Sequence, residues 1–143
     1  NDRLDLALAV EADGLHLGQD DLPASVARRL LPSSMFLGVS THSLAEARQA
    51  EQDGADYVAV GSIYPTATKP EFQLVGLDLL RAIRPQVKVP LVGIGGITAD
   101  NAARVIEAGA DGVAVISAVC GARDPAEVTR LLLDRIRAAK ALR

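Results

Sequence analysis

Three stretches of this chain repeat one pattern, and that pattern dictates an alternating α/β fold. Ala9 to Gly18 reads AVEADGLHLG, Ala50 to Gly61 reads AEQDGADYVAVG, and Ile106 to Ser117 reads IEAGADGVAVIS. Each is a helix end, a turn built on Gly or Asp, and then a short aliphatic strand. Asp13, Asp56 and Asp111 mark equivalent points. Two more strands, Met35 to Thr41 and Val89 to Ile94, lack the Ala-Asp lead-in but share the character. Continuous Val, Ile and Leu runs are what strands buried on both faces look like. Between them lie helices with readable caps: a Ser43/Glu46 capping box, Pro23 at a helix start, Thr98 ahead of residues 99–108 with Gly109 ending them, Gly76 to Arg84, and Asp124-Pro125-Glu127 opening the last helix. On that last helix Val128, Leu131, Leu132, Ile136 and Ala139 fall on one face. Strict alternation, with five strands and about six helices, predicts parallel strands joined by right-handed crossovers.

An open doubly wound sheet and a (β/α)8 barrel both satisfy that order. The first lacks its fingerprint, since no G-x-G-x-x-G follows a first strand and GIGGIT lies late in the chain. Barrels place polar residues at the C-terminal ends of their strands. Here those ends carry Gln19, Asp20 and Asp21; Ser40, Thr41 and His42; Ser62 to Lys69; Gly95, Gly96 and Thr98; and Ser117. The fold is therefore expected to be a TIM barrel, in one domain spanning residues 1–143 with no linker and no second domain.

Composition removes several function classes. The 143 residues hold 15 basic and 18 acidic side chains, for a net charge of −3, and no cluster of Lys and Arg exceeds a pair. With two Tyr, two Phe and no Trp there is no base-stacking surface either, so nucleic acid is not an expected partner. No apolar run approaches the roughly 20 residues of a membrane-spanning helix. The single Cys120 makes no intrachain disulfide and is read as packing, and a cytoplasmic protein is expected. The chain opens on Asn1 rather than Met and runs straight into a helix-like stretch, which creates the expectation that sequence precedes it.

The strand ends suggest phosphate chemistry. The glycines of GIGGIT, residues 93–98, and the Ile116-Ser117 strand end suit close approach of backbone N–H groups to an anion, although tight turns alone would also use them. In GSIYPTATKP, residues 61–70, Thr66, Thr68 and Lys69 offer two hydroxyls and an ammonium to phosphate oxygens. Asp2 at the start, with Asp20 and Asp21 after the LHLGQ strand, offers carboxylates on neighbouring strand ends of which two suit one Mg²⁺ completed by phosphate and water, with helix capping the other use for Asp21. His42 is a candidate for proton transfer, and His16, mid-strand, is read as a packed, hydrogen-bonded interior residue. The residues alone thus give a barrel enzyme for a phosphorylated small molecule, with its reaction open.

The segments DGLHLGQDD, GVSTHS, GADYVAVGSIYPTATK, PLVGIGGIT-x-DN and AGADGVAVISA, in this order, resemble the thiamine-phosphate synthase family. That resemblance implies a (β/α)8 barrel that joins a hydroxymethylpyrimidine diphosphate to a thiazole phosphate, releasing pyrophosphate. It implies Mg²⁺ on Asp2 and Asp21. It implies the pyrimidine diphosphate on Asn1, Ser40 and Lys69, with Lys69 and Ser40 catalytic. It also implies the thiazole phosphate on Thr66, Ala67, Thr68, Gly96, Ile116 and Ser117. Matched to the family, the chain is expected to hold strands four to eight with the tip of strand three, the C-terminal two-thirds of the barrel, and to be weakly active or inactive alone. An oligomer is compatible with the sequence.

Two rival readings share the phosphate loops. A thiazole tautomerase of the TenI type would shuttle protons with His42, but has no need of a diphosphate-binding lysine in T-x-T-K. A non-catalytic phosphate-ligand-binding barrel would have no need of Asp2, Asp21 and Lys69 together.

Overall fold

The computed structural model describes residues 1–66 and 73–142. Twelve elements alternate along them: α1 (Leu4–Ala9), β1 (Gly14–Leu17), α2 (Ala24–Leu30), β2 (Phe36–Thr41), α3 (Leu44–Gln52), β3 (Tyr57–Val60), α4 (Gly76–Ile83), β4 (Leu91–Ile94), α5 (Ala102–Glu107), β5 (Gly112–Ala114), α6 (Ser117–Cys120) and α7 (Pro125–Ala141). The five strands form one sheet in the order β1-β2-β3-β4-β5, and every pairing is parallel. This is the α/β architecture the alternation predicts. Among the described residues the sheet is open, with β1 and β5 at its edges, rather than a closed (β/α)8 barrel. Five strands are fewer than the eight whose curvature closes a filled barrel.

Three turns at the N-terminal ends of the strands explain the sequence repeat. Ala12 N–H donates to Ala7 O (3.0 Å), Ala55 N–H to Ala50 O (3.0 Å), and Ala110 N–H to Val105 O (3.3 Å). One residue earlier, Glu11, Gly54 and Gly109 donate to Leu8, Glu51 and Ile106. These paired bonds are Schellman caps, whose C′ residue must be left-handed. Gly54 (φ 89°) and Gly109 (φ 118°) meet that demand without cost, whereas Glu11 holds it at φ 51°. Glu11→Gly is therefore expected to raise stability by about 1 kcal/mol, measured by urea unfolding. No gain would mean that local hydrogen bonding already offsets the strain.

The aspartates that follow lock neighbouring strands together. Asp56 donates its N–H to Leu37 O (2.7 Å), and its Oδ2 accepts both Leu37 N–H (2.7 Å) and Arg28 Nη1 (3.1 Å). Asp111 does the same with Leu91 O (2.7 Å), Leu91 N–H (2.9 Å) and Arg84 Nη1 (2.8 Å). Each arginine stem passes over the preceding turn glycine: a Cβ on Gly54 would stand 2.9 Å from Arg28 Cγ, and one on Gly109 3.0 Å from Arg84 Cβ. In the first copy Asp13 joins β2 through its carbonyl, which accepts Phe36 N–H (3.0 Å).

Helix-facing strand positions carry the core. Leu15, Leu17, Leu37, Val39, Val58, Val60 and Leu91 are all buried, against Leu80, Ile83, Val105 and Ile106 of the helices. The opposite face, with His16, Tyr57, Val92, Ile94 and Ala114, is only half-buried. Burial on both faces, expected from the continuous apolar runs, thus holds only in part: Gly38 and Ala59 on this second face are buried, while His16, Ile94 and Ala114 line an open pocket.

Most caps stand where the sequence places them. Ser43 Oγ accepts Glu46 N–H (3.2 Å), and Asp124 Oδ1 accepts Glu127 N–H (2.9 Å). Three details differ. Pro23 is the cap of α2 rather than its first residue. Residues 98–101 form a turn, with α5 starting at Ala102. Leu131 is 44% exposed, so the buried stripe of α7 is Val128, Leu132, Ile136 and Ala139.

Candidate active site

A cavity of about 860 Å³ opens at the C-terminal ends of the strands, a size suited to small-molecule ligands. Asn1, Asp2, Asp21, Ser40, Thr66, Gly96, Ile116 and Ser117 all line it. Every predicted site residue within the described part of the chain is therefore in one place. Ala67, Thr68 and Lys69 lie outside the described residues.

The carboxylates flank the β1 end of this cavity. Asp2 N–H donates to His16 O (2.9 Å), which sets residues 1 and 2 beside the end of β1. Asp2 adopts φ 65°, a left-handed conformation that Asp tolerates better than most residues and that recurs at functional sites. Asp21 Oδ2 accepts Gly18 N–H (2.7 Å), which closes the GQDD turn and leaves Oδ1 for another partner. Among the described residues no group of three or more His, Cys, Asp or Glu side chains is arranged to hold a metal. Two carboxylates on one cavity wall fit Mg²⁺, which is held by one or two of them and takes other ligands from phosphate and water.

The phosphate side is built by two loops packed face to face. Gly95 (φ 96°) and Gly96 (φ 63°) are left-handed. A Cβ on Gly95 would stand 2.0 Å from Ser62 Oγ, and one on Gly96 2.4 Å from Pro65 O. Glycine is thus demanded by backbone conformation and by loop contact at once, whatever ligand the cavity takes. Asn101 fastens this loop: its Oδ1 accepts Thr98 N–H (2.8 Å) and its Nδ2 donates to Gly96 O (3.1 Å). The loop after β3 is pinned at its base, where Ser62 N–H donates to Gln73 O and Val75 N–H to Ser62 O, both 2.9 Å. Ile116 caps α6, whose first-turn residues Ser117 and Ala118 line the cavity; backbone N–H groups at a helix start lack intrahelical acceptors.

Sequence reasoning undervalued His16. It is hydrogen-bonded, as expected, yet it lines the cavity, with Nδ1 2.8 Å from Tyr57 Oη and Nε2 2.8 Å from Ser40 Oγ. Tyr57 was not singled out by the sequence at all, and Gln19 fixes the Ser40 carbonyl through Nε2 (2.7 Å). His42 also lines the cavity; its Nδ1 is 3.3 Å from Glu46 Oε2, which takes the His42 N–H as well (2.7 Å). Burial pushes the Tyr57 phenol above its usual value.

Burial likewise pushes the His16 imidazole below its usual 6.5, with Asp2 and Asp21 pulling the other way. Because the folded value is the lower one, the unfolded chain takes up the proton first as pH falls. Stability is whole above about pH 6.5 and declines from there toward the folded value. The urea midpoint is expected to drop between about pH 7.5 and about pH 5.5, and His16→Gln to flatten that drop. Equal slopes in the two proteins would remove His16 as the source.

The chain's similarities point one way. A family profile described as thiamine monophosphate synthase matches residues 1–119. The thiamine-phosphate synthase of Moorella thermoacetica is 62% identical over 141 residues, covering 98% of this chain and 67% of the relative. That of Natronomonas pharaonis is 57% identical, covering 95% and 65%. Among solved structures, a thiamine phosphate pyrophosphorylase from Pyrococcus furiosus superposes with a TM-score of 0.88 at 46% identity, covering 96% of this chain and 66% of that one. The chain thus spans about two-thirds of the length of these relatives. A 3-hexulose-6-phosphate synthase, 23% identical with a TM-score of 0.65, shares the fold.

Proposed function

Since the chain belongs to the thiamine monophosphate synthase family, we propose that its cavity transfers the hydroxymethylpyrimidine group of 4-amino-2-methyl-5-(diphosphomethyl)pyrimidine to 4-methyl-5-(2-phosphoethyl)thiazole or its carboxylated form. The products are thiamine phosphate and pyrophosphate. One observation carries this reading: a pair of carboxylates, the Gly95-Gly96 loop and the loop packed against it face a single cavity of about 860 Å³.

In this reading Asp2 and Asp21 hold Mg²⁺, and Asn1, Ser40 and Lys69 hold the diphosphate. Thr66, Ala67, Thr68, Gly96, Ile116 and Ser117 take the thiazole phosphate. The C–O bond to the pyrimidine methylene breaks, with its electron pair leaving on the diphosphate, and the thiazole nitrogen lone pair closes the new C–N bond. Bound Mg²⁺ supplies charge neutralisation for the departing diphosphate. The protein's own part is positioning and electrostatics: Lys69 meets growing negative charge, Ser40 donates to an oxygen of the diphosphate, and these two loops align the acceptor. No side-chain nucleophile is required.

The same reading numbers the five strands four to eight of a (β/α)8 barrel, with Asn1-Asp2 at the end of the third. The bond from Asp2 N–H to His16 O and the position of the glycine loop after β4 support it. It also makes the protein a cytoplasmic transferase for small molecules, and an oligomer is compatible with it.

The test is an incubation with both substrates and Mg²⁺. Thiamine phosphate and pyrophosphate are expected in equal amounts, above the enzyme-free reaction and lost on chelation of the metal. Tautomerisation of a thiazole phosphate without coupling, or no reaction and no binding of either substrate, overturns the proposal.

A further inference from the structure

His16, Gly38 and Tyr57 stand in one row across the sheet, for Gly38 pairs with His16 on β1 and with Tyr57 on β3. The outer two are separated by two strand spacings, roughly 9.5 Å. Tyr57 bridges that gap by lying over the residue between. A Cβ on Gly38 would stand 2.1 Å from Tyr57 Cζ and 2.3 Å from its Oη, so only glycine admits the ring. The phenol thereby reaches His16 Nδ1 at 2.8 Å, while Ser40, two residues beyond Gly38 on the same face of β2, meets Nε2 at 2.8 Å.

Counting protons gives this chain a direction. A neutral imidazole has one donor and one acceptor nitrogen. Were the proton on Nδ1, Tyr57 would have to accept it, and its own O–H would need a second acceptor. Among the described residues His16 is the partner its hydroxyl has, and a part-buried donor without an acceptor is costly. The satisfied arrangement runs from Tyr57 O–H to Nδ1, and from Nε2–H to Ser40 Oγ.

We propose that Tyr57 is a positioning residue which, through His16, makes the Ser40 oxygen accept from Nε2–H and so leaves the Ser40 proton for the cavity. Ser40 then favours ligands that present a negatively charged oxygen to that proton. The identity of that oxygen, one of the diphosphate, rests on the function proposed above. The proton order does not.

Nitrogen NMR of the two histidines, assigned with His42→Gln, reads the order in the ligand-free protein at a pH where both rings are neutral. His16 is expected to carry its proton on Nε2. Tyr57→Phe should yield a mixture of tautomers and weaken Mg²⁺-dependent binding of the pyrimidine diphosphate about tenfold by calorimetry. Ser40→Ala should then cost far less in the Tyr57→Phe protein than in the parent. Gly38→Ala, which keeps all three hydrogen-bonding residues but displaces the ring, should mimic Tyr57→Phe. A proton on Nδ1 in the parent, or a tautomer unchanged by Tyr57→Phe, overturns the inference, as does an equal cost of Ser40→Ala in both backgrounds. Failure of the pyrimidine diphosphate to bind the parent protein would instead sink the proposed function, and the tautomer would still decide the relay.

Discussion

Lys69→Ala is expected to slow pyrophosphate release by two to three orders of magnitude, the usual cost of removing one group aimed at developing charge. The reason lies in what departs. In the proposed reaction a diphosphate leaves with an extra electron pair, and an ammonium placed beside it would be stabilising in the transition state more than in the bound substrate. The lysine falls outside the described residues, but both flanks of its loop are fixed at the cavity. Thr66 lines it, and Ser62 closes the loop's base through Gln73 and Val75. Steady-state kinetics should show the loss in kcat, with KM for the thiazole phosphate little changed. Near-parental release of pyrophosphate would remove Lys69 from the chemistry. Lys69→Arg, which keeps charge but spreads it over a planar fork, should recover part of the rate.

The second large effect concerns stability. Asp111→Ala is expected to cost about 3 kcal/mol, read as a lower urea midpoint. The ion pair with Arg84 is the smaller share, because Arg84 is 27% and Asp111 44% exposed. The larger share is the charged acceptor lost to Leu91 N–H, in a strand whose side chain is wholly buried. Asp56→Ala should behave alike through Leu37, and since the two sites share no partners their costs should add. A loss under about 1 kcal/mol in either variant would mean the strand pairing holds without the latch.

These two predictions draw on parts of the molecule that differ in how openly the sequence states them. Turn chemistry is local, so Gly54, Gly109 and the aspartates after them disclose the strand starts directly, and polar strand ends disclose the cavity. Eight of the proposed site residues met there for that reason. Partners set by register stay hidden. Arg28 and Arg84 lie a whole helix-and-strand unit before the aspartates they grip. The approach of Tyr57 to His16 needs the pairing of three strands and a glycine in the middle one. Thr98 misled because Asn101, three residues on, binds its N–H and moves the helix start. The open second face of the sheet was equally unreadable, since a run of Val and Ile looks the same whether one face or two is covered.

The ring lying over Gly38 has an optical consequence. With no Trp and two Tyr in 143 residues, emission excited beyond the absorption of the two Phe comes from phenols alone. One is hydrogen-bonded to His16 in the cavity wall, and the other, Tyr64, donates its N–H to Gly95 O in the glycine loop (3.0 Å). Both tyrosines are therefore bonded to residues that line the cavity. A ligand titration followed by intrinsic tyrosine fluorescence therefore reads two rings each one hydrogen bond from the cavity lining, with no label to attach.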